Sequence, residues 1–276
     1  MDRATTIAGL RRWRARQTSV GLVPTMGYLH EGHLSLVRRS RAETERTVVS
    51  IFVNPLQFGP REDFAAYPRD LERDAAMLKR EGVDILFYPS AEEMYPPGFD
   101  FAVEPGAVGQ PLEGTSRPGH FRGIATVVLK LFNLVQPQRA YFGQKDAQQL
   151  AVIRKMVRDL DVPVQIVPCP TVREPDGLAM SSRNTYLNAE QRRAAPVLYR
   201  ALGAAQKRQA AGERRAEELR SAMREVLARE PLAVVEYVSV ADPDTMAEQE
   251  QLEGASLASM AVRIGTTRLI DNVVLG

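Results

Sequence analysis

The chain has 276 residues, with 36 Lys and Arg against 34 Asp and Glu, a formal charge of +2, 44% hydrophobic residues and 25% charged ones. This is the composition of a soluble globular protein long enough to bury one large core or two unequal ones; it excludes a disordered chain, a disulfide scaffold and a polybasic tail protein. The single cysteine, Cys169, cannot form an internal disulfide, and the near-balanced charge argues against a dedicated nucleic-acid binder.

The N-terminal stretch carries Arg11, Arg12, Arg14 and Arg16 with no apolar run behind them, so it reads as a solvated helix face rather than a secretory leader. Residues 20–24 form an apolar strand, followed by a helical pattern over 31–45. The β-branched run 47–53 has the continuity of a strand buried on both faces. An amphipathic helix over 70–81 leads to a strand at 84–88. The helix predicted at 122–135 contains the most apolar helical stretch, 124–135, but Lys130 and Asn133 interrupt that stretch and it is too short to span a bilayer. A short strand at 140–142, a helix over 146–160 and a strand at 163–167 complete a strand–helix alternation that predicts a parallel α/β sheet with right-handed crossovers. From residue 188 the chain turns Ala-, Arg- and Glu-rich. Two helices broken at Ala211–Gly212 precede strands at 234–240, 258–264 and 268–274. The expected organisation is a parallel α/β domain followed by a smaller C-terminal α+β module, with the boundary at about 175–187, in a cytoplasmic protein without a membrane or nucleic-acid partner.

Neither of the two common nucleotide signatures occurs: no P-loop is present, and no two of the 19 glycines stand two positions apart. A different device follows the first apolar strand, where His30-Glu31-Gly32-His33 ends the stretch 24–33. Loops after strand C-termini hold ligands in such sheets. Two imidazoles three residues apart share a helix face, and beside free helix N-terminal amides they would make an anion site with room at Gly32. A zinc pair and a pair of capping or core histidines are the other readings of the same spacing; His120 and Cys169 are the only further nitrogen or thiol candidates for zinc. A second cluster, Gly143-Gln144-Lys145-Asp146 with Gln149, sits at another strand-to-helix junction, with Asp146 also readable as a helix cap. A third, Met180-Ser181-Ser182-Arg183, follows a polar turn and offers two hydroxyls and a guanidinium for phosphate, or simply a cap. No Ser-His-Asp or Cys-His nucleophile is evident, and Cys169 lies between two prolines with no basic neighbour in sequence.

Together with SIFVNPLQF at 50–58, RPGHFRG at 117–123, YFGQKDAQQ at 141–149, MSSRNTYL at 180–187 and TTRLIDN at 266–272, the H-x-G-H stretch resembles the pantoate–β-alanine ligase family, along essentially the whole chain and in order. H-x-G-H alone belongs to a wider nucleotidyltransferase superfamily. The resemblance implies an ATP-dependent, AMP-forming amide ligase that makes pantothenate from (R)-pantoate and β-alanine through a pantoyl adenylate, releasing pyrophosphate. It also implies a Rossmann-like domain over 1–175 with a smaller C-terminal α+β lid over 176–276, Mg2+ as a phosphate-bridging ion with no dedicated ligand cage and Asp74 as a candidate contributor, and a homodimer. Carried onto this sequence, it makes His30, His33, Lys145, Ser181, Ser182 and Arg183 the catalytic set. Met26, Gly27, Tyr28, Leu29, His30, Glu31, Gly32 and His33 would line the ATP site with Gly143, Gln144, Lys145, Asp146, the Val172 backbone and Met180 to Arg183. Gln57 and Gln149 would bind pantoate, flanked by Asn54 and Tyr67, and Arg117, His120 and Arg122 would lie in a mobile loop near the pyrophosphate. The alternatives are another H-x-G-H adenylyl or cytidylyl transferase, or a silent nucleotide-binding module.

Overall fold

The computed structural model describes residues 1–60 and 62–276. In chain order they form β1 (Asp2–Ala4), α1 (Ile7–Arg14), β2 (Val20–Thr25), α2 (Glu31–Glu43), β3 (Arg46–Ile51), α3 (Leu71–Arg80), β4 (Ile85–Phe87) and the short helices α4 (Ala91–Met94) and α5 (Glu113–Ser116). Then come α6 (His120–Val135), β5 (Arg139–Gly143), α7 (Ala147–Asp159), β6 (Gln165–Cys169), α8 (Ala189–Ala194), α9 (Val197–Ala210) and α10 (Ala216–Leu227), followed by β7 (Ala233–Ala241), β8 (Ser256–Ile264) and β9 (Thr267–Leu275). The chain divides into two compact units, Met1–Gln144 with Val152–Pro170, and Lys145–Ala151 with Thr171–Gly276.

The first unit is built on a six-stranded sheet, ordered β1-β4-β3-β2-β5-β6, in which every pairing is parallel. Side chains alternate across a strand, so the two faces can be read from parity. Val23, Val49, Leu86, Tyr141 and Val167 share one face, in a core cluster with Leu34 and Val37 of α2 and Leu78 of α3. Phe142 has the opposite parity and meets Phe132 of α6 edge-on, which places α6 on the other face. Both faces being covered explains the continuous burial of β2 from Val20 to Val23 and of β3 from Thr47 to Ile51. Connections run outward from β2 towards β3 and β4, and from β5 towards β6. The topological switch point therefore lies between β2 and β5, where this class of sheet binds ligands beyond its strand C-termini.

Two features of this unit differ from the sequence reading. The Asp2–Ala4 strand has no apolar run to announce it and pairs with β4 over three residues only. Arg14 does not lie on a solvated face: its guanidinium donates to the carbonyls of Val135, Gln136 and Gln17, so it caps the C-terminus of α6. Arg11, Arg12 and Arg16 are exposed.

The second unit carries a three-stranded antiparallel sheet, β7-β8-β9. Alternate residues Ala258, Met260, Val262 and Ile264 of β8 face Leu198, Ala201, Leu202 and Ala205 of α9 and Leu219, Met223 and Leu227 of α10, the spacings expected of a strand and two amphipathic helices around one core. Three helices precede the sheet rather than two, because Pro196 begins α9 afresh after α8. No helix among the described residues is long and apolar enough to cross a membrane.

Candidate active site

In the first unit the loop after β2 is held by α3. Asp74, 1% exposed, accepts the amides of Tyr28 (2.6 Å) and Leu29 (2.8 Å) on its two carboxylate oxygens. Burial pushes its carboxyl above the usual range, and those two amides with Arg73 oppose the shift. Arg73 also donates to the Leu29 carbonyl and stacks over the Tyr28 ring. The turn needs Gly27 at φ +84°, where a Cβ would stand 2.9 Å from Ile51 Cγ2. Asp74 is thus committed to backbone, and the contribution to Mg2+ suggested for it is not what its geometry serves. Among the described residues no three His, Cys, Asp or Glu side chains gather as a metal site, so the zinc reading of the histidines has no support.

His30 is the N-cap of α2 and His33 its third residue, and the pair forms a capping box made of imidazoles. His30 Nδ1 accepts from Gly32 N–H (3.1 Å), and His33 Nδ1 accepts from His30 N–H (3.3 Å). The rings lie with centroids 4.1 Å apart. A neutral imidazole that accepts at Nδ1 carries its proton on Nε2, so each ring is fixed as an Nε2–H donor. The amides expected to be free here are not free. Those of Gly27 to His30, Gly32 and His33 all donate within the protein, to Thr25, Asp74, His33 and His30. The capping reading of the spacing is thus what the bonds of the pair show, made through Nδ1 of each ring.

A 3₁₀ turn, Pro55–Gln57, follows β3 and bears Gln57. It rests directly on α6: a Cβ on Gly123 would collide with the Leu56 carbonyl and lie 2.6 Å from Gln57 N. Asn54, 1% exposed, uses all its hydrogen-bonding positions inside the protein. Its Oδ1 accepts from Leu56 N–H (3.2 Å) and Tyr95 O–H (2.8 Å), and its Nδ2 donates to Gly123 O (3.1 Å) and Gln57 Oε1 (3.1 Å). Gln57 Nε2 lies 3.1 Å from Met26 Sδ. Tyr67 is buried and packs edge-on against Phe58.

His120 approaches the same turn from α6. Its Nε2 lies 2.7 Å from Arg117 Nη1 and its Nδ1 2.8 Å from the Gln57 carbonyl. A guanidinium only donates and a carbonyl only accepts, so the proton sits on Nδ1. Arg117 is also bidentate to Glu62 (2.7 and 2.6 Å). Burial pushes the Glu62 carboxyl up, but the Arg117 hydrogen bond and charge outweigh it and the net shift is downward. Burial, then the Arg117 charge, lower His120 to about 4. Arg117 and His120, expected in a mobile loop, are a ligated support for Gln57, whereas Arg122 is exposed and lies 3.7 Å from Glu104.

Gly143 ends β5 paired with Cys169 of β6, and Gln144 closes this unit's part of the junction. Cys169 is buried, and burial raises its thiol.

In the second unit Lys145 is 20% exposed, 3.6 Å from the Asp146 carboxylate, and its carbonyl accepts from Asn272 Nδ2 (2.7 Å). Asn272 lies in β9 beside Asp271, which binds Arg173 through both oxygens (2.7 and 2.9 Å) while Arg173 stacks over Tyr199. The TTRLIDN stretch therefore contributes as an anchor for Lys145, a role its composition does not reveal. Gln149 is partly exposed in the first turn of α7. Residues 172–180 form a small hairpin, with Met180 N–H donating to the Val172 carbonyl (3.0 Å) and Arg173 bridged to Ala179. The hairpin delivers Ser181, whose Oγ caps the following 3₁₀ turn at Arg183 N–H; Ser182 is buried.

Comparison with known proteins decides between the ligase and its alternatives. The family model for pantoate-beta-alanine ligase matches residues 2–274. The chain belongs to the pantoate–β-alanine ligase family. It is 65% identical over 272 residues to the pantothenate synthetase of Roseiflexus sp. (strain RS-1), covering 98% of each chain. The crystal structure of pantothenate synthetase from Thermus thermophilus superposes with a TM-score of 0.95 at 52% identity, covering 99% of each. That of the pantoate-beta-alanine ligase from Francisella tularensis, complexed with beta-gamma ATP and beta-alanine, gives 0.83 at 36% identity, covering 99% of this chain and 97% of that one. Membership makes the chain an AMP-forming ligase that builds a carbon–nitrogen bond between pantoate and β-alanine. Neither a different H-x-G-H transferase nor a silent module finds support in matches of this length.

Proposed function

We propose that His30 and His33 hold the triphosphate of ATP through their Nε2–H groups while pantoate's carboxylate attacks the α-phosphorus, and that β-alanine's amine then displaces AMP from the pantoyl adenylate. The observation that carries this is the imidazole capping box. It spends each Nδ1 on backbone and so fixes two donors in place before substrate arrives, which is what stabilisation of charge developing on phosphate oxygens requires. Met26 to Leu29, Glu31 and Gly32 shape the nucleotide side of this loop, and Gly143, Gln144, Asp146 and the Val172 backbone meet adenine and ribose. Lys145, Ser181, Ser182 and Arg183, with Met180, serve the β- and γ-phosphates and the departing pyrophosphate. Gln57 and Gln149 hydrogen-bond pantoate beside Tyr67. Binding of ATP and β-alanine by the Francisella relative supports this set of substrates.

Mg2+ fits as an ion carried by the triphosphate, where it neutralises phosphate charge; no cluster of three His, Cys, Asp or Glu stands among the described residues to cage it, and Asp146 is the half-exposed carboxylate beside Lys145. Shielding the adenylate from water is the expected further task of the C-terminal unit. A cytoplasmic homodimer completes the reading, and sedimentation tests the dimer.

Purified protein with ATP, Mg2+ and pantoate should release AMP only when β-alanine is added, one AMP per pantothenate. Lys145→Ala should lower turnover about 10²–10³-fold with little change in thermal unfolding. Absence of any β-alanine-dependent AMP would sink the ligase reading, and absence of pyrophosphate release before β-alanine is added would sink the two-step scheme.

A further inference from the structure

The hydrogen bonds around Gln57 run in one direction. Leu56 N–H can only donate and the Gly123 carbonyl can only accept, so the Asn54 carboxamide has a single allowed orientation, Oδ1 towards Leu56 and Tyr95, Nδ2 towards Gly123. Its second Nδ2 proton then meets Gln57 and must find an oxygen there, which fixes Gln57 Oε1 on the Asn54 side. At the other end Gln57 Nε2 has two protons. One reaches Met26 Sδ, a weak acceptor, and no other partner for Nε2 stands among the described residues. The backbone of Gln57 is held as well, through its carbonyl and His120. Unlike a glutamine on an open surface, this one cannot flip without leaving Asn54 Nδ2 or Gln57 Nε2 facing a like group in a nearly closed environment.

We propose that Asn54, backed by Tyr95, is a positioning residue that sets the polarity of Gln57, so that this carboxamide meets pantoate as an N–H donor only and selects an acceptor oxygen at that point. The proposal rests on the reading of Gln57 as a pantoate-binding side chain. A substrate analogue presenting a donor-only group there, such as an ammonium in place of the oxygen, is rejected because neither side chain can turn to accept from it. Tyr95 supports the arrangement from the far side: its hydroxyl occupies the second lone pair of Asn54 Oδ1, and its ring packs against Phe52 and Phe99.

Three variants test this by steady-state kinetics. Gln57→Met removes the donor and should raise the KM for pantoate about tenfold. Asn54→Asp keeps the shape but turns the two donors of Nδ2 into acceptors, so Gln57 must rotate and present Oε1. Its pantoate KM should rise at least as far as in Gln57→Met, with kcat and the KM for ATP within about twofold, the pattern of a lost binding contact. An unchanged pantoate KM in folded Asn54→Asp, when Gln57→Met raises it, overturns the polarity proposal alone. An unchanged KM in Gln57→Met overturns the role of Gln57 itself and the proposal with it. Should Asn54→Asp fail to fold, Tyr95→Phe decides. It loosens the same carboxamide and should raise the pantoate KM about threefold without moving the KM for ATP; no rise there overturns the proposal.

Discussion

The two histidines that open α2 and the one that opens α6 are opposites in their hydrogen bonding. His30 and His33 accept backbone amides at Nδ1 and keep their protons on Nε2; His120 gives its Nδ1 proton to the Gln57 carbonyl and accepts Arg117 at Nε2. The first pair is wired to donate. The third is saturated by protein on both nitrogens and works as a strut under the turn that carries Gln57. The nitrogen that meets the backbone thus sets the tautomer, Nε2–H in the pair and Nδ1–H in His120.

The sharpest way to break this comparison is to keep the cap and delete the donor. An asparagine at 33 can still accept at Oδ1 in place of Nδ1 but has nothing at the position of Nε2–H. His33→Asn should therefore lose about 10²–10³-fold in kcat/KM while its melting temperature stays within about 2 °C of wild type. Equal losses of stability and activity would mean the imidazole is only a cap.

A second, smaller effect belongs to His120. Folding lowers it from the ordinary 6.5 to about 4, so between those values the unfolded chain binds a proton that the folded chain refuses. The resulting stability is fully present above pH 6.5 and drains as pH falls towards 4, up to roughly 3 kcal/mol in all. Urea unfolding at pH 7 and pH 4.5 should show a larger loss for wild type than for His120→Asn, which retains a donor to Gln57 but does not titrate. Identical losses would remove the buried neutral imidazole from the account.

Much of the architecture was legible before any coordinates, for identifiable reasons. Strands buried on both faces write themselves as β-branched and apolar runs without charge, as β2 and β3 beyond Arg46 do, and the H-x-G-H loop stands where a parallel sheet places ligands. The short β1 is illegible because three residues at a sheet edge leave no pattern, and the α8–α9 break because it is marked by Pro196 inside a continuous Ala-, Arg- and Glu-rich run. The support around the site was illegible for a different reason. Asp74 reaches Leu29 across 45 positions, Glu62 meets Arg117 across 55, and Asn272 finds Lys145 across 127. Nothing local distinguishes such residues from solvated ones: neither the Tyr95–Asn54 bond nor the grip of Asp74 on Tyr28 and Leu29 is written in the neighbouring residues.

The weakest effect comes from the arginine nearest to this network in sequence. Arg117 and Arg122 were read together, yet Arg117 is 12% exposed, with two bonds to Glu62 and one to His120, whereas Arg122 is 57% exposed and faces Glu104 at 3.7 Å. An exposed pair at that distance contributes little, because solvent screens it and two long side chains must be held still. Arg122→Ala should change unfolding free energy by less than about 0.5 kcal/mol, and its pantoate KM should match wild type. Any rise in that KM would show that the support for Gln57 extends along α6 beyond His120, and the strut would then have to include Arg122.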